Sequence, residues 1–182
     1  MSKPFELLCA TGFITEAEQQ KLRDIALDYW RQGVLEGNPK GPHRYRAKIW
    51  GTEYCNDLIK RLGGRIIEFF QLQGCPVDPQ LGWIISLIEK GGQVHPHYDK
   101  YPYHDEYKAK HVRCNIMVDK ENASGNPVIE GQIVDVPERA VWGFFPSEAE
   151  HATQLVDVSR PRIVFQFGFV VPEDYHFPHS GK

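Results

Sequence analysis

Cysteine is scarce in this chain and shows no pairing pattern. Its four cysteines, Cys9, Cys55, Cys75 and Cys114, form no CxxC motif, which argues against a zinc ribbon or a disulfide framework and favours reduced thiols. Long apolar runs are missing too: no stretch approaches 18 uninterrupted apolar residues, so no helical membrane span is expected. The opening Met1-Ser2-Lys3-Pro4-Phe5-Glu6 has neither the basic start nor the apolar run of a secretion signal. A soluble, cytoplasmic protein is expected. Neither sign of charge dominates, with 21 basic residues spread along the chain and a net charge of -3. That balance leaves no electrostatic footprint for a polyanion, so nucleic acid is not an expected partner. There are also no internal repeats and no low-complexity linker.

What is present suits one folded domain over residues 1–182: 41% hydrophobic and 25% charged residues are ordinary globular values. Residues 1–75 read as helix-rich. Thr15 followed three residues on by Glu18 is a capping box, and Leu22, Ile25, Ala26 and Tyr29 recur at helical spacing, predicting a helix from Thr15 to about Gln32. Residues 33–51, polar and carrying the basic cluster His43-Arg44-Tyr45-Arg46, read as a loop. A second helix is predicted from about Glu53 to Gln73, with Leu58, Leu62, Ile66, Phe69 and Phe70 on one face and Gly63-Gly64 weakening its middle. From about Trp83 to Val171 the pattern changes to short β-type runs separated by Gly, Pro and Asn, with strands predicted at 83–89, 112–118, 131–136, 140–145, 154–158 and 162–170. This spacing suggests a sandwich or barrel, buttressed by the helices, with a tail at 172–182.

The chemistry-bearing residues fall in the strand region. In Gly91-Gly92-Gln93-Val94-His95-Pro96-His97-Tyr98-Asp99, His97 and Asp99 are two apart. In extended backbone they share a face, where imidazole and carboxylate can converge on one ion. His151, just past the run Val141-Trp142-Gly143-Phe144-Phe145, can complete a face of two histidines and one carboxylate. Such a site leaves positions open, as O2-activating iron(II) centres require, although zinc accepts the same ligands. His95 competes with His97 by spacing, but Asp99 supplies the carboxylate. Beyond His151, Arg160 and Arg162 share parity at the start of a strand whose opposite face carries Ile163, Phe165, Phe167 and Phe169. An arginine there is costly to bury unless an anion pairs with it, and guanidinium recognises carboxylates bidentately.

This ordered set, His97-x-Asp99, then His151, then an arginine 9 or 11 residues later, resembles the iron(II)/2-oxoglutarate oxygenase superfamily, over roughly residues 83–171. It is most similar to the aspartyl/asparaginyl and free-proline hydroxylase-like branch. The resemblance implies a mainly β fold with flanking helices, a double-stranded β-helix or jelly roll, with Fe(II) at its mouth held by His97, Asp99 and His151. It also implies 2-oxoglutarate and O2 as cosubstrates, with Arg162 or Arg160 holding the distal carboxylate of 2-oxoglutarate; Arg162, which opens the uninterrupted apolar run, is favoured. In His111-Val112-Arg113-Cys114-Asn115, Arg113 and Asn115 share parity and are candidates to touch substrate and cosubstrate. The implied activity is hydroxylation of a C–H bond of a small molecule such as an amino acid, coupled to decarboxylation of 2-oxoglutarate to succinate. A carboxylate at Asp99 favours hydroxylation over halogenation.

Competing readings are a peptide or protein hydroxylase of the same superfamily, a cupin-like metalloprotein without 2-oxoglutarate, a zinc hydrolase with Glu148 or Glu150 as base, and a non-catalytic binding module. His95, His104 and His111 read as surface or hydrogen-bonded histidines, and His176 and His179 as tail residues. Trp142, Phe144 and Phe145 read as core. The tyrosine-rich stretch Tyr98 to Tyr107 reads as a lid or a solvated loop, and residues 43–48 as a possible contributor to an anionic substrate site.

Overall fold

Helix α1, Glu16–Arg31, begins where the capping box places it. Thr15 Oγ1 accepts from the Glu18 backbone N–H, and the Glu18 carboxylate accepts from that of Thr15. The same carboxylate takes both terminal nitrogens of Arg65 from helix α2, Asp57–Phe69, at 3.1 and 2.7 Å. Helix α2 is capped by the Asn56 side chain, which accepts from the Ile59 N–H, rather than starting at Glu53. Gly63 has a packing role in its middle: an added Cβ would fall 2.1 Å from the Trp83 ring, so glycine lets the indole lie against the helix. The computed structural model that these elements belong to describes residues 4–39, 41–101 and 108–178.

Ten strands accompany the helices. They are β1 (Leu7–Ala10), β2 (Glu36–Asn38), β3 (Gly41–Lys48), β4 (Trp83–Ile88), β5 (Ala109–Asp119), β6 (Pro127–Ile129), β7 (Gln132–Ile133), β8 (Val141–Phe144), β9 (His151–Thr153) and β10 (Arg162–Pro172). Seven form one antiparallel sheet in the order β1-β8-β5-β10-β4-β3-β2, and three form a smaller sheet, β7-β6-β9. The described residues are thus mainly β with two helices, as expected.

Three strands correct the expectations for residues 1–75. Residues 33–51 are not a loop, because Arg44 to Lys48 pair with β4 and Glu36 and Gly37 pair with β3. Alternation of Arg44, Arg46 and Lys48 with Tyr45 and Ala47 is a strand pattern, hidden by its polar composition. Strand β1 is too short to register as a period. Residues 154–158 form no strand; the pairing lies just before them, in β9.

Parity along the two longest strands divides the interior. On β10, Ile163, Phe165, Phe167 and Phe169 pack with Leu22, Ala26, Ile59, Leu62 and Ile66 of the helices, as do Val112, Cys114, Ile116 and Val118 of β5. Each of these large side chains contributes on the order of 2 kcal/mol by burial. The opposite parity, including Met117 and Val164, meets Ile129 of the small sheet in a second apolar cluster. Between the two sheets lies a cleft. Gln19 docks α1 by donating to the Val118 carbonyl at 2.8 Å.

The Glu18–Arg65 pair makes a pH-dependent contribution. Arg65 beside it holds the Glu18 carboxyl down at about 2, against burial and with help from Thr15. A depressed carboxylate stabilises the fold above its ordinary value near 4.5, and that contribution fades as pH falls towards 2. Glu18→Gln keeps the capping hydrogen bond but not the charge. It is expected to lower stability by about 0.5–1 kcal/mol at pH 7, and thermal melts of the two proteins should converge near pH 2.

Candidate metal centre and cleft

The glycine turn sets the ligands in place. Gly91, at φ 89°, turns the chain out of β4, and its N–H donates to the Val156 carbonyl at 2.7 Å. An added Cβ on Gly92 would fall 2.9 Å from the His43 carbonyl oxygen, so the turn is pressed against β3. The segment then runs beside β9: Thr153 N–H donates to the Val94 carbonyl, and His97 and His151 exchange backbone hydrogen bonds at 3.1 and 2.9 Å. The two histidines are cross-strand partners, their rings 4.3 Å apart. Asp99 is anchored by its own N–H to the Pro146 carbonyl at 2.8 Å.

Asp99 Oδ1 lies 3.3 Å from His97 Nε2 and 3.6 Å from His151 Nε2. Ligand atoms about 2.1 Å from an ion and at right angles stand roughly 3 Å apart, close to this spacing. The histidine tautomers suit the purpose as well. His97 Nδ1 contacts the His95 carbonyl at 2.8 Å and His151 Nδ1 the Ala149 carbonyl at 3.2 Å. A carbonyl only accepts, so each Nδ1 carries the hydrogen and each Nε2 presents its lone pair to the common point. Burial pushes His151 down to about 4, so it is neutral at pH 7. The Asp99 contact moves His97 upward against burial. Thus His97, Asp99 and His151 are together able to hold a metal ion.

Behind Asp99 sits a layer made of His111, Arg113 and a residue that the sequence did not single out, Asp78. Asp99 Oδ2 is 3.5 Å from His111 Nε2 and 3.6 Å from the Arg113 guanidinium, which in turn lies 3.7 Å from Asp78 Oδ2. Burial opposes charge on Asp99, but His111, His97, His151 and Arg113 outweigh it and hold its carboxyl well below the usual carboxylate range. Of the two readings given for His111, surface or hydrogen-bonded, the surface one does not hold: it is 1% exposed, under Tyr101 and beside Asp99. Arg113 lines the cleft, yet lies between two carboxylates that neutralise it, a different setting from the open substrate contact its parity suggested. Gly168, directly opposite Arg113 on β10, leaves it room, since an added Cβ would be 3.0 Å from the guanidinium.

The structure separates the two arginines after His151. Arg162 is 4% exposed, faces the cleft, and donates from Nε to the Gly125 carbonyl at 2.6 Å. Among the described residues no carboxylate lies within ion-pair distance of it, and burial together with nearby Arg44 pushes its guanidinium down to about 10. It stays charged at pH 7. Arg160 does not line the cleft; it is bound to Asp119 at 2.8 Å, to Glu138 and to the Lys120 carbonyl. Arg160 lies in a bend at residues 158–160, before β10 begins at Arg162, so the two arginines do not share a strand face.

The cleft has a volume of about 130 Å³. Besides the triad, Arg113 and Arg162, its walls include Asn115, Ser86, Gln166, Trp142 and Phe144. Asn115 is fixed by weak donation to the Arg113 and Trp142 carbonyls, both at 3.4 Å. Gln166, its cross-strand neighbour, was legible as the one polar residue inside the β10 run with the parity of Arg162. Trp142 and Phe144 are core residues as expected, but they also form cleft wall, with Phe144 5.0 Å from the His151 ring. Glu148 and Glu150 are absent from the cleft walls, and Glu148 pairs with Lys110 at 3.6 Å. His95 is exposed and contacts Gln93. His104, Tyr103 and Tyr107 lie outside the described residues, as does His179.

With this geometry in place, comparison with known proteins is informative. No protein-family model matches the sequence, and no curated protein matches it. Solved structures do. A Pseudomonas putida prolyl-4-hydroxylase is 14% identical, with a TM-score of 0.62 over 92% of this chain and 93% of its own. HygX from Streptomyces hygroscopicus, solved with nickel, 2-oxoglutarate and hygromycin B bound, is 13% identical, with a TM-score of 0.64 over 95% and 85%. SnoN, a non-haem α-ketoglutarate-dependent epimerase of nogalamycin biosynthesis, is 13% identical, with a TM-score of 0.68 over 98% and 87%. The chain shares their fold. Within the described residues, no helix is long and apolar enough to cross a membrane.

Gly125 has φ 70°, and an added Cβ would lie 2.7 Å from Arg162 Cδ. Gly125→Ala strains the backbone and displaces that side chain, so a loss of about 1–3 kcal/mol is expected in chemical denaturation.

Proposed function

We propose that this protein is an Fe(II)- and 2-oxoglutarate-dependent oxygenase with a double-stranded β-helix core, hydroxylating a C–H bond of a small molecule. The observation that carries the reading is the pairing, in one cleft, of a two-histidine, one-carboxylate face with a buried arginine that has no carboxylate of its own. His97 and His151 would bind the ion through Nε2 and Asp99 through Oδ1. Ferrous ion and 2-oxoglutarate supply the oxidising chemistry, O2 being consumed and the keto acid leaving as succinate and CO2. Arg162 would hold the distal carboxylate of 2-oxoglutarate in a charge-assisted pair. Asn115, Ser86 and Gln166 offer further hydrogen bonds along the same wall, while Trp142 and Phe144 exclude water from the reacting end.

His111 and Arg113 stand 3.5 and 3.6 Å from Asp99 Oδ2, and their electrostatic pull on that oxygen would leave Oδ1 to the metal. A zinc hydrolase is disfavoured because the nearby glutamates Glu148 and Glu150 do not reach the cleft. The kinship of fold with enzymes of this chemistry supports the reading. It is tested by incubating the protein with Fe(II), 2-oxoglutarate and O2 and following succinate by NMR. Succinate formation that requires both iron and O2 is expected. A protein that binds Fe(II) and is folded but converts no 2-oxoglutarate would contradict the proposal.

A further inference from the structure

Strand β3 contributes two more arginines to the cleft, Arg44 and Arg46, on the same face of the strand. Among the described residues neither has a carboxylate within ion-pair distance. Arg46 stands opposite Glu36 in the strand register, yet no ion pair forms. Arg44 is half-buried, crosses the sheet row towards Arg162 through Ile88, and folds over Gly41, whose missing side chain leaves the space it occupies. It lies close enough to influence both Arg162 and the ligand His97. Arg44 and Arg46 thus line the same cleft as His97, Asp99, His151 and Arg162.

Charge matching shows what these two residues lack, on the reading just proposed. Asp78 answers Arg113. A ferrous ion is neutralised by Asp99 and the keto-acid carboxylate of 2-oxoglutarate, and the distal carboxylate answers Arg162. Arg44 and Arg46 are left facing the same cleft with no anion. Arg44 is half-buried and Arg46 exposed at the cleft's rim; bringing the two like charges together beside a partly desolvated space is unfavourable, and an anion joining them relieves it. We infer that Arg44 and Arg46 form a second anion subsite that selects an acidic small-molecule substrate, one bearing a phosphate or a carboxylate.

The test uses the protein loaded with Ni(II), in place of iron, and saturated with 2-oxoglutarate. Inorganic phosphate and acetate are then titrated separately by calorimetry, which shows whether the subsite prefers phosphate or carboxylate. One anion per chain is expected to bind. Arg44→Gln/Arg46→Gln should weaken that binding at least tenfold, Arg44→Lys/Arg46→Lys should retain most of it, and Arg162→Gln should affect 2-oxoglutarate instead. Wild-type protein that binds neither anion, or a Gln/Gln variant that binds them equally well, overturns the inference. So does a Gln/Gln variant that loses 2-oxoglutarate as Arg162→Gln does, since Arg44 would then belong to the cosubstrate's site. If 2-oxoglutarate fails to bind the wild type, the cosubstrate reading falls. The same anion titrations, repeated without it, still decide the subsite.

Discussion

Replacing His151 with alanine is expected to abolish iron-dependent turnover of 2-oxoglutarate while leaving the fold intact. His151 contributes its backbone to the bridge with His97, and that pairing does not need the imidazole. The ring instead presents Nε2 to Asp99 Oδ1 at 3.6 Å, with Nδ1 tied to the Ala149 carbonyl. Losing one of three protein ligands removes several kcal/mol of metal binding, and each 1.4 kcal/mol is about tenfold, so a fall of about three orders of magnitude is expected in metal-dependent activity. Isothermal titration with Fe(II) under anaerobic conditions measures the affinity, and circular dichroism reports the fold. A folded variant that keeps wild-type iron affinity would remove His151 from the ligand set.

Arg162→Met should separate binding from stability in opposite directions. An arginine–carboxylate contact contributes roughly 1.5–3 kcal/mol, so affinity for 2-oxoglutarate should fall about 10- to 100-fold. The ligand-free protein, by contrast, is expected to melt at a higher temperature. Methionine removes a buried cation that has no carboxylate partner, a penalty of several kcal/mol, at the expense of one hydrogen bond to Gly125 of about 1 kcal/mol. Arg160→Met should do the reverse: unchanged 2-oxoglutarate affinity and a less stable fold, because Asp119, 2% exposed, loses its 2.8 Å partner. If Arg160 rather than Arg162 controls 2-oxoglutarate binding, the geometry of the cleft has been misread.

The metal face was legible because its information is local. Two residues of equal parity, a glycine turn and a histidine after a strand can be read from spacing alone. The layer behind it was not. Asp78 reaches Arg113 from a connection before β4, and His111 reaches Asp99 from β5; neither contact leaves a mark on sequence spacing. Arg160 and Arg162 part for the same reason, since β10 begins only at Arg162 and leaves Arg160 in the preceding bend, bound to Asp119 and Glu138. The helices were legible from capping and periodicity, with Thr15 and Glu18 placing the start of α1 to the residue. The β2–β3 hairpin was not, because it is polar on the side that faces the cleft. That polarity, which disguised the strand, is what brings Arg44 and Arg46 to the site.

Whether one cleft binds iron and 2-oxoglutarate together is decided by an anaerobic titration. Fe(II)-loaded protein is titrated with 2-oxoglutarate while visible charge-transfer absorption is followed. The account expects a saturable band at one 2-oxoglutarate per chain, absent without iron and shifted to higher concentration by Arg162→Met. A folded, iron-loaded protein that develops no band and binds no 2-oxoglutarate would contradict it.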